Sequence, residues 1–316
     1  MPIPLLVLMP IDPERLERIA AAGYAPHLAV GPEARAEAIA RMKDEVRAVL
    51  TNGATGLTAA EMDALPNLSI ITCMAAGHEN VDLRAARARG IPVTHGPSTN
   101  DISVADHTLA LLLSTVRRIP QADGAVRRGA WMASREPRPI VFGKKLGILG
   151  LGNIGRQIAE RANRGFDMEI AYHNRAPRPE IPYAYMPSVT ELAEWADFLV
   201  IAAPGGAGTR HLVDASVLHA LGRGGYLVNI GRGSIVDSEA LAAALKGGTI
   251  AGAALDVVDG EPEVPASLLE APNLVITPHI AGRSPEAMMA TANLLIANLD
   301  AHFAGEPLKT PVAMPA

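Results

Sequence analysis

Three polar side chains in the carboxyl-terminal third of this 316-residue chain are suited to acid–base chemistry on an anion: Arg232, Glu261 and His279. An arginine can bind a carboxylate through two parallel N–H donors. A carboxylate beside an imidazole raises the pKa of the imidazole and fixes its tautomer. The protonated ring can then give its proton to a carbonyl as hydride arrives. These residue types therefore predict a site that binds an anion and transfers a proton, and beside a hydride donor they would suit the reduction of a 2-oxo acid.

Each of these side chains follows a predicted β-strand. The strands are 226–230, 250–255 and 274–277. Open α/β sheets bind ligands outside the carboxyl ends of their strands, so we expect the three side chains to face one crevice. Each residue also has a structural alternative. Arg232 could pair with Asp237. Glu261 could be a solvated loop residue, and His279 could be a core histidine.

A glycine fingerprint lies upstream: Gly150-Leu151-Gly152-Asn153-Ile154-Gly155. A predicted strand precedes it and a predicted helix follows it, which is the context that a dinucleotide site requires. Gly150 permits the tight turn, Gly152 lets a pyrophosphate approach, and Gly155 allows close packing of the helix. The first helical residues, Asn153 and Ile154, would offer N–H groups to the phosphates. The alternative is a glycine-rich turn without a ligand.

The end of the next predicted strand bears on the choice of cofactor. It reads Tyr172-His173-Asn174-Arg175 and lacks the acidic residue with which an NAD site binds the ribose 2′-hydroxyl. Arg175 lies 20 positions after Gly155 (175 − 155 = 20), where a guanidinium can bind a 2′-phosphate. We therefore expect His173, Asn174 and Arg175 to contact NADP(H), with NAD(H) as the second option. Arg175 could instead be a solvated loop residue.

Composition narrows the classes of function. The chain has 49% hydrophobic and 19% charged residues, as soluble globular proteins do. A net charge of −5 predicts no binding of nucleic acid, and no segment is apolar and long enough to predict a membrane span. The single cysteine, Cys73, is expected to be a buried structural thiol in a reducing cytoplasm. No metal site is predicted.

Strand-like and helix-like segments alternate along the chain, which predicts an α/β fold with parallel sheets. Residues 1–99 and 285–316 are expected to form a smaller, flavodoxin-like substrate-binding domain. Residues 100–284 are expected to form a dinucleotide-binding domain around a Rossmann-type, doubly wound parallel sheet. The predicted strands of the first are 5–9, 46–50, 68–73 and 91–94. The six predicted for the second are 146–149, 168–173, 198–202, 226–230, 250–255 and 274–277.

Other segments are predicted from local signals. Asp12 and Thr58 have side chains that cap helices. A long helix over 100–118 is apolar on more than one face because of its leucines, which predicts an interface in a homodimer. A loop rich in Arg, Gly and Pro is expected over 124–139. A last helix, over 285–303, is expected to return to the first domain.

The chain resembles the D-2-hydroxyacid dehydrogenase family over almost its whole length. The motifs that carry the resemblance are Gly77-His78-Glu79-Asn80-Val81-Asp82, Val104-Ala105-Asp106-His107, the glycine fingerprint, Gly231-Arg232-Gly233, Asp256, Glu261-Pro262 and Thr277-Pro278-His279. Asn174-Arg175 and Pro204-Gly205-Gly206 look most like the glyoxylate/hydroxypyruvate reductase branch, which often prefers NADPH.

The resemblance implies a reaction. The protein would reduce a small 2-oxo acid, such as glyoxylate or hydroxypyruvate, to the D-2-hydroxy acid. Arg232 would bind the oxo acid, Glu261 would orient and charge His279, and His279 would be the acid–base group. One alternative is a reductase of a bulkier substrate such as an aryl pyruvate. The other is a dinucleotide-sensing binding protein without catalysis.

The resemblance also implies binding residues. Asp256 would hold the nicotinamide carboxamide, and Pro204 is expected in the cofactor site. N–H groups of Ala76 and Gly77 would bind the substrate carboxylate.

Three positions depart from the family or have open roles. Asp106 stands where the family usually has Glu, and it is expected to cap or pair locally. Arg283 could touch a ligand or be a solvated residue at the start of the last helix. Trp131 could line the pocket of a neighbouring subunit or be a packed core aromatic.

Overall fold

The computed structural model describes residues 2–314. The chain forms two units. One comprises the described residues up to Asn100 together with those from Arg283 onward, and the other is Asp101–Gly282. The chain thus leaves the first unit after Asn100 and re-enters it at Arg283. The assignment of the units as substrate and dinucleotide domains stays a prediction.

Five parallel strands form the sheet of the first unit. They are β1 Ile3–Val7, β2 Tyr24–Leu28, β3 Ala48–Thr51, β4 Ile70–Cys73 and β5 Val93–Thr94. Their order in the sheet is β2-β1-β3-β4-β5. This is the order of flavodoxin-like folds, so the predicted fold of this unit is confirmed.

Helices cover this sheet. They are α1 Pro13–Ala21, α2 Pro32–Met42, α3 Ala59–Asp63, α4 Leu83–Ala88 and the last helix of the chain, α12 Pro285–Ala304. The predicted caps are confirmed, since Asp12 accepts from the first turn of α1 and Thr58 forms a capping box with Glu61. Leu295 and Leu299 of α12 are buried in a core that includes residues of β1 and β4.

The sequence pattern predicts neither β2 nor α2. Strand β2 lies at the edge of the sheet, contains Pro26 and is partly exposed, so it lacks the apolar run of a central strand. Helix α2 begins after Gly31 without a side-chain cap. Local helix signals are nevertheless present in α2, namely Pro32 and Glu33 in its first turn and Arg41 in its last, and the sequence reasoning overlooked them.

Cys73 ends β4 and is buried. Burial raises the pKa of its thiol to about 12, and the Glu79 carboxylate adds to the shift. A buried thiol that stays protonated is unreactive. The predicted burial of Cys73 is therefore confirmed.

Seven parallel strands form the sheet of the second unit. They are β6 Lys145–Leu149, β7 Glu169–His173, β8 Ala184–Tyr185, β9 Phe198–Ile201, β10 Tyr226–Asn229, β11 Gly252–Leu255 and β12 Leu274–Ile276. Their order is β12-β11-β10-β9-β6-β7-β8, which is the Rossmann order with one added strand. The predicted fold is confirmed, but the predicted number of six strands is wrong. The strand added to the Rossmann order is β12. The strand that the sequence pattern did not predict is β8, which has only two residues, too few to show a period.

The helices of this unit are α5 Asp101–Arg117, α6 Ile119–Arg127, α7 Asn153–Phe166, α8 Val189–Trp195, α9 Ala215–Leu221, α10 Ser238–Lys246 and α11 Ala266–Leu269. Short 3₁₀ turns are Met132–Ser134, Ala207–Thr209 and Gly233–Ile235. Helix α5 ends one residue earlier than predicted because Arg118 has a left-handed φ of +51°.

The predicted loop over 124–139 is wrong at its start, because α6 continues to Arg127. Proline is tolerated in the first turn of a helix, where Pro120 lies. The Arg127–Asp123 ion pair, 2.8 Å long, joins neighbouring turns of α6.

Both faces of the seven-stranded sheet are buried. Along β9, Leu199 and Ile201 belong to one apolar cluster, and Phe198 and Val200 belong to another. This alternation places the clusters on opposite faces. No helix within residues 2–314 is long and apolar enough to cross a membrane.

Candidate active site

The three predicted catalytic residues follow three strands that are neighbours in the second sheet. Arg232 lies beyond β10, Glu261 beyond β11 and His279 beyond β12. The strands are parallel, so their carboxyl ends lie at one edge of the sheet. The expected convergence of the strand ends is observed. The catalytic roles of the side chains stay predictions.

Glu261 and His279 form a hydrogen bond. Nδ1 of His279 lies 2.5 Å from Oε1 of Glu261. Because a carboxylate only accepts, the Nδ1–H donates, and Nε2 is left as the nitrogen that can exchange a proton with a ligand. The side chains of His279 and Glu261 are 51% and 39% exposed, so a ligand can reach the pair.

The hydrogen bond shifts the pKa values of both groups. It raises the pKa of His279, and the Glu261 and Asp256 charges add to this shift while burial opposes it. Burial alone would raise the pKa of Glu261, but the His279 hydrogen bond and charge outweigh burial and lower that pKa. Glu261 is therefore ionised beside a ring that keeps its proton to higher pH than a free imidazole does.

The Asp256 carboxylate holds the loop that carries His279. Its Oδ1 accepts from the Ile280 N–H and its Oδ2 from the Ala281 N–H, each at 2.9 Å. The Asp256 carbonyl accepts from the His279 N–H at 2.8 Å. His279 has a φ of +53°, a left-handed conformation that needs such support in a non-glycine residue. The predicted contact of Asp256 with a nicotinamide carboxamide stays a prediction.

Two residues to which sequence reasoning gave no role complete this network. The Thr277 hydroxyl donates to Oδ1 of Asp256 at 2.6 Å. A hydroxyl has one proton, so its oxygen accepts from Nε2 of His107, 3.1 Å away. Both residues lie in the family motifs, which is the sequence signal for them. Thr277 reaches Asp256 because β12 pairs with β11, and His107 reaches Thr277 from α5, so these contacts depend on packing and have no local signal.

Arg232 is half-buried in a turn that Asn229 shapes. The Asn229 side chain donates to the Arg232 carbonyl and accepts from the Gly231 N–H, both at 3.0 Å. The stem of Arg232 packs on Gly205, where a Cβ would come within 2.9 Å of the arginine Cγ. The Arg232 charge favours ionised Glu261. Sequence reasoning missed Asn229 and Gly205 as supports of this arginine.

The structural alternatives for Glu261 and His279 are not what the structure shows, and the alternative for Arg232, a pair with Asp237, stays untested. Asp237 caps α10, accepting from the N–H groups of Glu239 and Ala240 at 3.0 Å. Glu261 is bonded to His279 and is not simply solvated. His279 is too exposed for a core histidine.

The fingerprint has the geometry of a phosphate-binding turn. Gly150 has a φ of +97°, and a Cβ there would come within 2.6 Å of the Ala203 backbone. Open space surrounds the Cβ position of Gly152, whereas a Cβ on Gly155 would collide with the Gly150 carbonyl. Helix α7 begins at Asn153, directly beside the open position, and its first N–H groups lack helical partners. The turn therefore fits the pyrophosphate of a dinucleotide.

The residues at the end of β7 are held differently from one another. Nδ1 of His173 donates to the Met186 carbonyl at 2.8 Å. Oδ1 of Asn174 accepts from the Leu151 N–H at 2.8 Å, which fastens this strand end to the fingerprint. Arg175 is exposed, so its guanidinium can meet an anion. Cofactor contacts of these three residues stay predictions.

Four further residues of the second unit have expected or open roles in the sequence analysis, and the structure tests only some of these. Pro204 is exposed after β9, and Ile154 is half-buried in the first turn of α7. Asp106 pairs with Arg161 of α7 at 2.9 Å, which confirms that it pairs within its own unit. Trp131 is 62% exposed, so it is not a packed core aromatic.

Ala76, Gly77 and Arg283 belong to the first unit. Ala76 and Gly77 lie in the loop after β4, where Ala75 has a left-handed φ of +65°. Among the described residues, no backbone carbonyl accepts from the Gly77 N–H. Arg283 is exposed just before α12. The binding of substrate by Ala76 and Gly77 stays a prediction.

Known proteins share this sequence pattern. Residues 109–281 match the family model for the D-isomer specific 2-hydroxyacid dehydrogenase, NAD binding domain. A hydroxyphenylpyruvate reductase from Plectranthus scutellarioides is 42% identical, covering 88% of this chain and 89% of that protein. Glyoxylate/hydroxypyruvate reductase A from Arabidopsis thaliana is 41% identical, covering 85% of this chain and 86% of that protein.

A solved structure extends the match to the fold. It is an NADPH-dependent glyoxylate/hydroxypyruvate reductase from Sinorhizobium meliloti in complex with NADP and malonate. That protein is 39% identical with a TM-score of 0.89, covering 99% of this chain and 98% of that chain. With the strand order and the Glu261–His279 pair, these matches show that the protein belongs to the D-isomer specific 2-hydroxyacid dehydrogenase family of oxidoreductases.

Proposed function

We propose that this protein is an NADPH-dependent reductase that converts a small 2-oxo acid, glyoxylate or hydroxypyruvate, to the 2-hydroxy acid of D configuration. The observation that carries the proposal is the Glu261–His279 hydrogen bond at the edge of a dinucleotide-binding sheet. A carboxylate–imidazole pair of this kind holds a proton ready for a carbonyl oxygen. Arg232 adds the positive charge that an anionic substrate needs.

NADPH, when bound, would supply the hydride. The side chains of the protein bind the substrate and donate the proton. Arg232 binds the oxo acid and draws electron density toward its oxygens. Nε2 of His279 gives its proton to the carbonyl oxygen, which becomes the hydroxyl of the product. Throughout, the Nδ1–H stays bonded to Glu261, whose charge stabilises the protonated ring before the transfer. As the family resemblance implies, Ala76 and Gly77 bind the substrate carboxylate through N–H groups.

Arg175 supports the preference for NADPH. Its exposed guanidinium follows β7 in place of the acid that an NAD enzyme uses for the ribose hydroxyls. A 2′-phosphate would bind there through charge-assisted hydrogen bonds. The Sinorhizobium meliloti reductase, which is similar over nearly the whole chain, is itself NADPH-dependent. NADH is the second, weaker cofactor.

A second substrate class has one observation in its favour. The Plectranthus scutellarioides relative at 42% identity is a hydroxyphenylpyruvate reductase, and a pocket that accepts an aryl group would make this chain similar in activity. A steady-state assay of NADPH oxidation with glyoxylate, hydroxypyruvate, phenylpyruvate and 4-hydroxyphenylpyruvate separates the two classes.

We expect the highest kcat/KM with glyoxylate or hydroxypyruvate, and D-glycerate as the product of the latter by chiral chromatography. A higher kcat/KM with the aryl pyruvates would replace this proposal with the second. NADPH binding without turnover of any oxo acid would indicate the dinucleotide-sensing alternative.

We also propose that the protein is a homodimer. Exposed apolar side chains concentrate between residues 102 and 142, and the largest are Ile102, Ile119, Trp131, Met132, Ile140 and Phe142. Exposed apolar side chains in such number favour an interaction site, and closed twofold dimers are the commonest assembly.

Sedimentation velocity at micromolar concentration tests the dimer. The protein should sediment as a dimer, and the double variant Ile140→Asp, Phe142→Asp should sediment as a monomer. Leu269→Asp is the matched control, since Leu269 is 68% exposed but lies outside this stretch. A strictly monomeric wild-type protein would refute the dimer.

For location, we propose the cytoplasm. The support is that Cys73 is the one cysteine of the chain and that disulfides are rare in reducing compartments. Fractionation of the native host tests this, with enzyme activity expected in the cytosolic fraction; activity confined to another fraction would refute it.

A further inference from the structure

Two histidines of the first unit share one hydrogen-bond acceptor. Nδ1 of His78 lies 3.2 Å from the Ala76 carbonyl oxygen, and Nδ1 of His95 lies 2.9 Å from the same oxygen. A carbonyl only accepts, so both rings carry a proton on Nδ1 and donate it. The rings meet edge to face with centroids 5.3 Å apart. Neither histidine has a role in the reaction derived above.

The shared carbonyl belongs to the same peptide group as the Gly77 N–H. That peptide is trans, so its carbonyl and its N–H point in opposite directions in one plane. Two donors that fix the direction of the carbonyl therefore fix the direction of the N–H. They also polarise the peptide and strengthen that N–H as a donor.

The backbone that carries the His95 ring is held by its neighbours. The backbone of His95 is tied to Thr310, whose carbonyl accepts from the His95 N–H at 3.2 Å and whose hydroxyl donates to the His95 carbonyl at 2.6 Å. The neighbouring Gly96 N–H donates to the Ala75 carbonyl at 2.6 Å. The loop that carries Ala76 is thereby held against the end of β5.

The backbone of Gly77 also packs against the loop that follows β3. A Cβ on Gly53, in the loop after β3, would come within 2.9 Å of the Gly77 carbonyl carbon. The two backbones therefore lie in direct contact. The peptide between Ala76 and Gly77 is fixed both by its neighbours and by two imidazole donors.

We propose that His78 and His95 are positioning residues that aim and polarise the Ala76–Gly77 peptide, so that its N–H binds the carboxylate of the 2-oxo acid. The inference rests on the proposed function. It assigns the imidazole pair to substrate recognition and leaves proton transfer to His279.

The test compares variants that remove the donor with variants that keep it. Leucine removes the Nδ1–H at either position. Asparagine keeps an N–H donor at the same branch of the side chain. His27→Leu is the matched control, because His27 is an exposed histidine on β2 of the same unit. KM for glyoxylate, kcat and KM for NADPH are measured for each variant.

His78→Leu and His95→Leu should each raise KM for the oxo acid by roughly 2- to 10-fold, the worth of one hydrogen bond. The double leucine variant should exceed either single one. The kcat and the KM for NADPH should stay near wild-type, since a uniform binding contribution is lost. The asparagine variants and His27→Leu should behave as wild-type.

An unchanged KM for the oxo acid in both leucine variants would overturn the inference. Asparagine variants as impaired as the leucine variants, or an equal rise in KM for NADPH, would overturn it too, since either outcome indicates a merely structural role. If a leucine variant does not fold, its asparagine and glutamine counterparts decide: glutamine displaces the donor, so it should raise KM while asparagine does not. A wild-type enzyme that turns over no 2-oxo acid would instead refute the proposed function.

Discussion

Two regions at the carboxyl edge of the second sheet differ in how firmly they hold their functional side chains. One region follows β11 and β12, and the other follows β7. Beyond β12, His279 is fixed through its ring by Glu261 and through its backbone by Asp256. Beyond β7, Arg175 extends exposed from a strand end that is anchored one residue earlier, at Asn174.

The difference reflects what each end has to do. A proton donor must be in place before the transition state forms, so its geometry is built into the buried network below it. A guanidinium that recognises a phosphate can be ordered by the ligand itself, because the charge-assisted hydrogen bonds compensate for the lost side-chain freedom. Substitutions at the first end should therefore affect kcat, and those at the second should affect cofactor choice.

Removal of the fixed ring should have the largest effect. His279→Ala deletes the proton donor, and general acid catalysis is worth on the order of 10²–10⁴ in rate. We expect kcat to fall by such a factor while the NADPH dissociation constant, measured by fluorescence titration, stays nearly unchanged. His219→Ala, an exposed histidine on α9, is the control. Near-normal turnover of His279→Ala would remove this residue from the mechanism.

Removal of the exposed cation should have an intermediate effect, confined to the cofactor. Losing a charge-assisted bond to the 2′-phosphate costs roughly 1.5–3 kcal/mol, or about 10- to 100-fold in affinity. Arg175→Ala should lower kcat/KM for NADPH by that factor and leave NADH kinetics nearly unchanged.

Arg223→Ala, at another exposed arginine of the unit, should change neither cofactor. The assignment of Arg175 fails if Arg175→Ala weakens both cofactors equally, or if the wild-type enzyme prefers NADH.

A smaller effect on kcat/KM is expected where the stem of Arg232 packs on Gly205. In Gly205→Ala, the new Cβ would lie 2.9 Å from Cγ of Arg232, so the arginine stem must shift. Because a misplacement of about 1 Å can cost 10²-fold in rate, we expect this smaller shift to lower kcat/KM for the oxo acid by roughly 3- to 10-fold. Gly208→Ala has open space and is the control. Equal kinetics for the two variants would exclude Gly205 as a support of Arg232.

The site residues could be predicted from the sequence because the strands before them have clear apolar patterns. Arg232, Glu261 and His279 follow strands with strong apolar patterns, so their shared edge followed from the order of parallel strands alone. The other strands of the Rossmann and flavodoxin-like sheets were predictable for the same reason, whereas the partly exposed edge strand β2 was not. Strand β8 and helix α6 were not, because a two-residue edge strand has no period and α6 lies in a segment rich in Arg and Gly.

The supports of the site were harder to predict than the site itself. Asp256 acts through the backbone N–H groups of Ile280 and Ala281, which any residue type would supply. The convergence of His78 and His95 on one carbonyl depends on the left-handed Ala75, a conformation that no local motif announces. Such contacts come from the packing of loops, which residue types and spacing do not specify.

The central claim is that Glu261 keeps a proton on His279 for transfer to the substrate, and the pH profile of kcat for NADPH-dependent glyoxylate reduction tests it directly. The donor must be protonated, so activity should be full at low pH and lost as pH rises through the pKa of His279. That pKa is raised chiefly by the Glu261 hydrogen bond, so the wild-type midpoint should lie above the ordinary value of about 6.5. Glu261→Gln should move the midpoint to lower pH, whereas an unchanged or higher midpoint would contradict the account.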